Sequence, residues 1–138
     1  MPAETIMISP TDTLTGIITG LLERDVKVIP TDKHLIHYIF FGLRKDSNLL
    51  KAFTFDTQDM YPYSATLDEA FENIQVGDDL ERKNPAMAFF DIKPTIKQYF
   101  DEVLKGKFNE RQIEELGRIS GELASKLSAG ATIINGGR

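Results

Sequence analysis

Two histidines, His34 and His37, stand three residues apart in a stretch with helical periodicity. That spacing puts both imidazoles near one face, where two ring nitrogens can reach one metal ion. No HExxH or Glu-x-x-His pattern supplies a further ligand, so the expectation is a pair of partly exposed polar residues and no metal. Asp78-Asp79 with Glu81 is the densest acidic cluster. Paired carboxylates can exchange protons or hold a divalent cation. Here they follow Gly77 in turn chemistry, and the calcium-loop pattern is missing, so a solvated turn is expected. Arg82-Lys83 is the kind of basic step that reaches phosphate or the minor groove. Tyr61-Pro62-Tyr63 is aromatic surface that could dock a partner or staple the entry of a helix onto the core.

None of these clusters combines a nucleophile, a base and stabilising donors. GxSxG, GxxxxGK(S/T) and GxGxxG after a strand are all missing. The reading is therefore non-enzymatic, with no cofactor.

The elements that must position these residues follow from periodicity. Ser9-Pro10-Thr11-Asp12 is a helix start, and Leu14, Ile17, Ile18, Leu21 and Leu22 trace an apolar stripe to about Arg24. A short strand is plausible at Val26–Ile29, with Pro30 arguing against a central place in a sheet. Thr31 can cap a second helix over Asp32–Lys45, whose apolar residues cover most of its circumference. Asp46-Ser47-Asn48 is a turn, and Leu49–Phe55 reads as a short helix or a strand. Ser64 or Thr66 caps a third helix with Leu67, Ala70, Phe71 and Ile74 buried, and Gly77 can end it through a left-handed step. Leu80–Lys83 and Ala88–Ile92 then pair across a loop containing Asn84-Pro85. Pro94 opens a fourth helix with Ile96, Tyr99, Phe100, Val103 and Leu104 on one side, ended by Gly106. Asn109 and Gln112 form a capping-box variant that starts the last helix, to about Ser128. Along that helix Leu116, Gly117, Ser120, Gly121 and Ala124 make a small-residue face suited to close helix packing. Its partner is either the preceding helix or the same helix of a second subunit.

The 138 residues suit one domain, with residues 1–8 as a flexible arm, 9–93 as the core, 94–128 as a helical pair and 129–138 as a mobile tail. Zero cysteines removes thiol chemistry and disulfides. No apolar run approaches the roughly 18 residues of a membrane span, and the N-terminal residues do not read as a signal peptide. The expected compartment is cytoplasmic. Net charge is −5, which does not favour nucleic acid. From Thr66 to Glu81 there are six acids and no lysine or arginine.

Pro62-Tyr63-Ser64, followed by Leu67, Ala70, Phe71 and Leu80, resembles the short capped helix before a hairpin in winged-helix regulators. It is similar also to that element in the Panacea antitoxin domain. The resemblance spans residues 60–93 and rests on core and cap positions, so it implies a fold and transfers no functional site. The expected fold is α+β, mostly helical: a winged-helix-like core with a β-hairpin and two additional C-terminal helices. The expected function is a non-enzymatic regulatory or protein-interaction module, a homodimer that binds an unidentified protein. Its expected interaction residues are Tyr61, Tyr63, Asp68, Glu69, Glu72, Arg82 and Lys83. The alternative is a DNA-binding transcriptional regulator of winged-helix type, which the acidic third helix disfavours.

Overall fold

A computed structural model describes residues 8–58, 60–83 and 89–135, without the side chains of Lys83 and residues 129–135. Its first helix, α1 (Pro10–Glu23), opens with a reciprocal cap. The Ser9 hydroxyl accepts from Asp12 N–H at 3.0 Å, and the Asp12 carboxylate accepts from Ser9 N–H at 3.1 Å. Two first-turn donors are thereby satisfied before any packing. Every residue from Asp12 to Leu21 is buried, so the other helices enclose α1. Two of its buried threonines are satisfied within the helix: Thr15 and Thr19 donate their hydroxyls to the carbonyls of Thr11 and Thr15.

The left-handed step at Asp25 (φ 66°) turns the chain into strand β1 (Val28–Pro30). Helix α2 (Lys33–Arg44) follows, and its cap is Asp32, which accepts from Leu35 N–H, rather than the expected Thr31. The apolar residues of α2 do not all go inward. Ile36, Ile39, Phe40 and Leu43 are buried while Tyr38 is 67% exposed. A 3₁₀ turn at Leu49–Ala52 leads to α3 (Ala65–Val76), capped by Ser64. Leu67, Ala70, Phe71 and Ile74 are its buried stripe, as their spacing predicts. Gly77 closes α3 at φ −79°, and the left-handed step falls one residue later, on Asp78 (φ 68°).

Strands β2 (Leu80–Lys83) and β3 (Phe89–Ile92) make an antiparallel hairpin, and β1 joins β3 on the other side, giving the order β1-β3-β2. The Asn84-Pro85 loop lies outside the described residues. Pro30 ends β1 at the sheet edge, where a missing N–H breaks no ladder. Helix α4 (Thr95–Tyr99) runs on into a π turn (Phe100–Leu104) and a 3₁₀ turn (Lys105–Lys107). The wider turn buries residues four apart (Ile96, Phe100 and Leu104), so Tyr99 and Val103, expected on the buried side, are 44% and 54% exposed. The Asn109/Gln112 box starts α5 (Glu110–Asn135) with reciprocal bonds of 2.9 and 2.8 Å. Residues 129–135 continue this helix instead of forming the expected tail; residues 136–138 lie outside the described ones.

The long contact in this α+β fold is between α1 and α5. A methyl group added at Gly16 would stand 2.8 Å from a Leu116 methyl, and one at Gly20 would stand 2.7 Å from Ser120 Cβ. Two glycines on α1 thus admit two side chains of α5. The Ser120 hydroxyl is shared between the carbonyls of Ile17 and Leu116, both at 2.8 Å. No helix among the described residues is long and apolar enough to cross a membrane.

Candidate functional site

A long-range polar cluster joins α2, the entry to α3 and α3 itself. His37 stands beside Ile36 and Phe40 on the inward side of α2 and is 1% exposed. Its ring lies flat on Tyr63 (4.9 Å, 2°), with Tyr61 and Phe55 edge-on at 6.1 and 6.3 Å. Tyr63 is held by a two-way backbone bridge to Asp56, with bonds of 2.8 and 3.0 Å. The next residue, Ser64, is buried; its hydroxyl caps α3 at Leu67 N–H and its own N–H donates to His37 Nδ1 at 3.0 Å.

That last bond fixes the tautomer. A backbone amide can only donate, so Nδ1 carries no hydrogen and Nε2 does. Nε2–H then donates to Asp68 Oδ1 at 3.0 Å. Asp68 Oδ2 accepts from the Tyr63 hydroxyl at 2.6 Å and from Lys33 Nζ at 3.0 Å. Burial holds the His37 pKa below its ordinary value, despite the opposing pull of Asp68. Burial pushes the Asp68 carboxyl up, but the bonds from Tyr63, Lys33 and His37 outweigh it and hold the group below the usual aspartate range. The Tyr63 phenol is pushed up to about 12, first because its proton is bonded to Asp68 and then by burial.

The chemistry of this cluster is that of a lock. The only lone pair on the His37 ring is occupied by Ser64 N–H, so the ring cannot take a proton from a substrate or ligate a metal in this arrangement. His34 goes elsewhere: it is exposed and packs on the Tyr61 ring at 3.9 Å. Both histidines touch the Tyr61 ring, but both ring nitrogens of His37 are already bonded within the lock. Among the described residues no group of three or more metal-ligating side chains stands together. Asp78, Asp79 and Glu81 do turn and strand work: Asp79 accepts from the Thr95 hydroxyl at 2.8 Å, and Glu81 pairs with Lys93 at 2.8 Å.

Beside the lock lies a cleft of about 50 Å³ between α2, α3 and the sheet. Phe71 and Phe90, stacked at 5.6 Å, and Ile36 form its floor; Lys33, Glu72 and Arg82 stand on its rim. Such a space admits one small side chain, far short of the roughly 300–1,000 Å³ of a cofactor or drug-sized site.

The residues singled out for interaction separate here. Glu69 and Glu72 are exposed on α3, whereas Asp68, expected beside them on the outer surface, points inward into the lock. Tyr61 and Tyr63 are half-buried and fasten the entry of α3. The Arg82 guanidinium lies 5.5 Å above the Phe90 ring. The Lys83 side chain lies outside the described residues. On α5, Leu116 and Ser120 are buried against α1, which is neither of the two expected partners, while Gly117, Gly121 and Ala124 are half-buried. The Arg24 guanidinium reaches over Gly121, within 3.2 Å of where a Cβ would stand.

Sequence reasoning missed the His37–Ser64 and His37–Asp68 bonds and the glycine face of α1. One signal for the first was present: His37 falls next to Ile36 and three before Phe40, inside the buried stripe of α2.

No family model matches this chain, and neither does any curated protein or solved structure.

Proposed function

We propose that this protein is a non-enzymatic regulatory module that docks another protein through the outward side of α3. The observation that carries this reading is the exposed pair Glu69 and Glu72, on a helix whose one inward carboxylate is already fully bonded. A rigidly capped helix with an acidic outer side suits a basic partner surface. The saturated state of His37, Asp68 and Tyr63 supports a structural role for this polar cluster, and so favours docking over catalysis.

A second reading is a DNA-binding regulator with a winged-helix core. The element order helix–strand–helix–helix–hairpin, with strand order β1-β3-β2, favours it. Charge disfavours it. In such a regulator the third helix enters the major groove, and here it would bring Glu69 and Glu72 to the phosphates. Arg82 and Lys83 neutralise about two phosphates per subunit, against roughly 6–10 for a protein dominated by counterion release. A homodimer stays part of the proposal, but its contact must come from residues other than Leu116 and Ser120, which α1 covers.

Fluorescence anisotropy with pooled duplex DNA across a salt series tests the choice. Negligible binding at about 0.15 M salt is expected, where the Debye length is about 8 Å. Tight, salt-sensitive binding that is lost in Arg82→Ala/Lys83→Ala would replace the docking proposal with the regulator.

A further inference from the structure

The His37 ring ties three segments together, and its protonation state decides whether the ties hold. A second proton has one place to go, Nδ1, because Nε2 already carries the first. At Nδ1 it would face the Ser64 N–H, 3.0 Å away, donor against donor. Ser64 is the N-cap of α3, so the disturbance falls where that helix is fastened. We infer that this contact is a proton-released latch: proton uptake at His37 Nδ1 opens the junction between α2 and the start of α3. The first turn of α3, next to Glu69, then loosens, while the buried stripe of Leu67, Ala70, Phe71 and Ile74 keeps the rest of the helix on the core. The latch does not depend on what the outer side of α3 binds.

The charges around the ring come from every element packed on it. From α2 come Lys33 and His34; from the entry segment, Tyr61 and Tyr63, with Asp56 bridging behind them. From α3 come Asp68 and Glu72, and Arg82 of β2 stands on the far rim of the same cleft. Asp68 favours the imidazolium; burial and Lys33 oppose it, and burial is the largest influence. The ring therefore stays neutral in the fold at pH values where the unfolded chain, with its ordinary 6.5, has begun to take up a proton. The unfolded state then binds more protons, so stability rises with pH. The His37 contribution is complete above about 6.5 and is lost as pH falls from there through the lower folded-state value. The latch is shut at neutral pH and opens as pH falls through the lowered folded-state value of His37.

Nitrogen NMR of the imidazoles and amide hydrogen exchange, on the full chain from pH 7.5 to 5, test this directly. At pH 7.5 His37 should be the Nε2–H tautomer. Protection at Ser64 and Leu67, corrected for intrinsic exchange, should fall at least about tenfold over the interval in which His37 titrates. Protection at Ile119, in the middle of α5, should not change. His37→Asn offers an amide oxygen to Ser64 N–H and cannot titrate, so it should abolish the fall. An Nδ1–H tautomer at pH 7.5 would overturn the latch, as would constant protection at Ser64 through the titration. So would an equal fall at Ile119, which would mean global unfolding. If His37→Asn does not fold, the wild-type titration alone decides.

Discussion

Asp68→Ala is the sharpest test of the lock, because one carboxylate serves three donors. Removing it strands the Nε2–H of His37 in a site 1% exposed to solvent. A buried donor left unpaired costs about 1–3 kcal/mol. The Tyr63 hydroxyl is half-buried and can turn to water, so its loss adds only about 0.5–1 kcal/mol. The Lys33 side chain is 54% exposed, and its ion pair contributes about 0–1 kcal/mol after solvent screening. Alanine returns up to about 0.7 kcal/mol through better helix propensity. The net expectation is a loss of about 1–5 kcal/mol, which lowers Tm by on the order of 10 °C for a chain of this size. Urea denaturation followed by circular dichroism should show the midpoint falling with an unchanged slope. Asp68→Asn keeps the shape but not the charge, and should lie between wild type and alanine. An alanine variant within about 0.5 kcal/mol of wild type would refute the reasoning, since it leaves no room for a stranded buried donor.

Two further outcomes are expected. Gly20→Ala should destabilise by about 1–3 kcal/mol, because the added methyl meets Ser120, whereas Gly117→Ala, with open space around it, should be neutral or stabilising by up to about 1 kcal/mol; equal effects in thermal melts would mean that α1 and α5 do not meet as described. Absorbance at about 295 nm should show one tyrosine ionising only near 12, lost in Tyr63→Phe and shifted toward 10 in Asp68→Asn; a Tyr63 that ionises at its ordinary value would remove the hydrogen bond to Asp68.

What was legible in the sequence was local. Ser9 caps α1 as expected and the Asn109/Gln112 box forms as its spacing predicts, both between residues three apart; Asp12, read only as an acid near the helix start, also closes the Ser9 cap from its own side. The buried stripe of α3 was legible for the same reason. The lock was not, because its bonds join residues 27 and 31 positions apart. His37, Tyr63 and Asp68 each had a plausible surface reading when taken alone; only the docking of α3 on α2 turns them toward one another. The exposed sides of Tyr99 and Val103 were hidden by a different cause. A π turn changes the spacing of buried residues, and ordinary helical periodicity cannot anticipate it. On α5 the sequence announced a close helix contact, but nothing local could say that its partner was α1.

That pairing of α1 with α5 sets a schedule for synthesis. Ser120 closes on the carbonyl of Ile17, a residue made 103 positions earlier. At about 5–20 residues per second the apolar stripe of α1 waits roughly 5–20 s for its permanent cover. During that interval Leu14, Ile17, Ile18 and Leu21 have only the elements made before α5 to shelter them, α3 foremost and then α4 and the 3₁₀ turn at Leu49–Ala52, and a nascent chain with such a stripe partly uncovered is a target for chaperones. The caps that form early at Ser9 and Ser64 start both helices of that interim pair, so the local signals legible in the sequence are also the ones the growing chain relies on first.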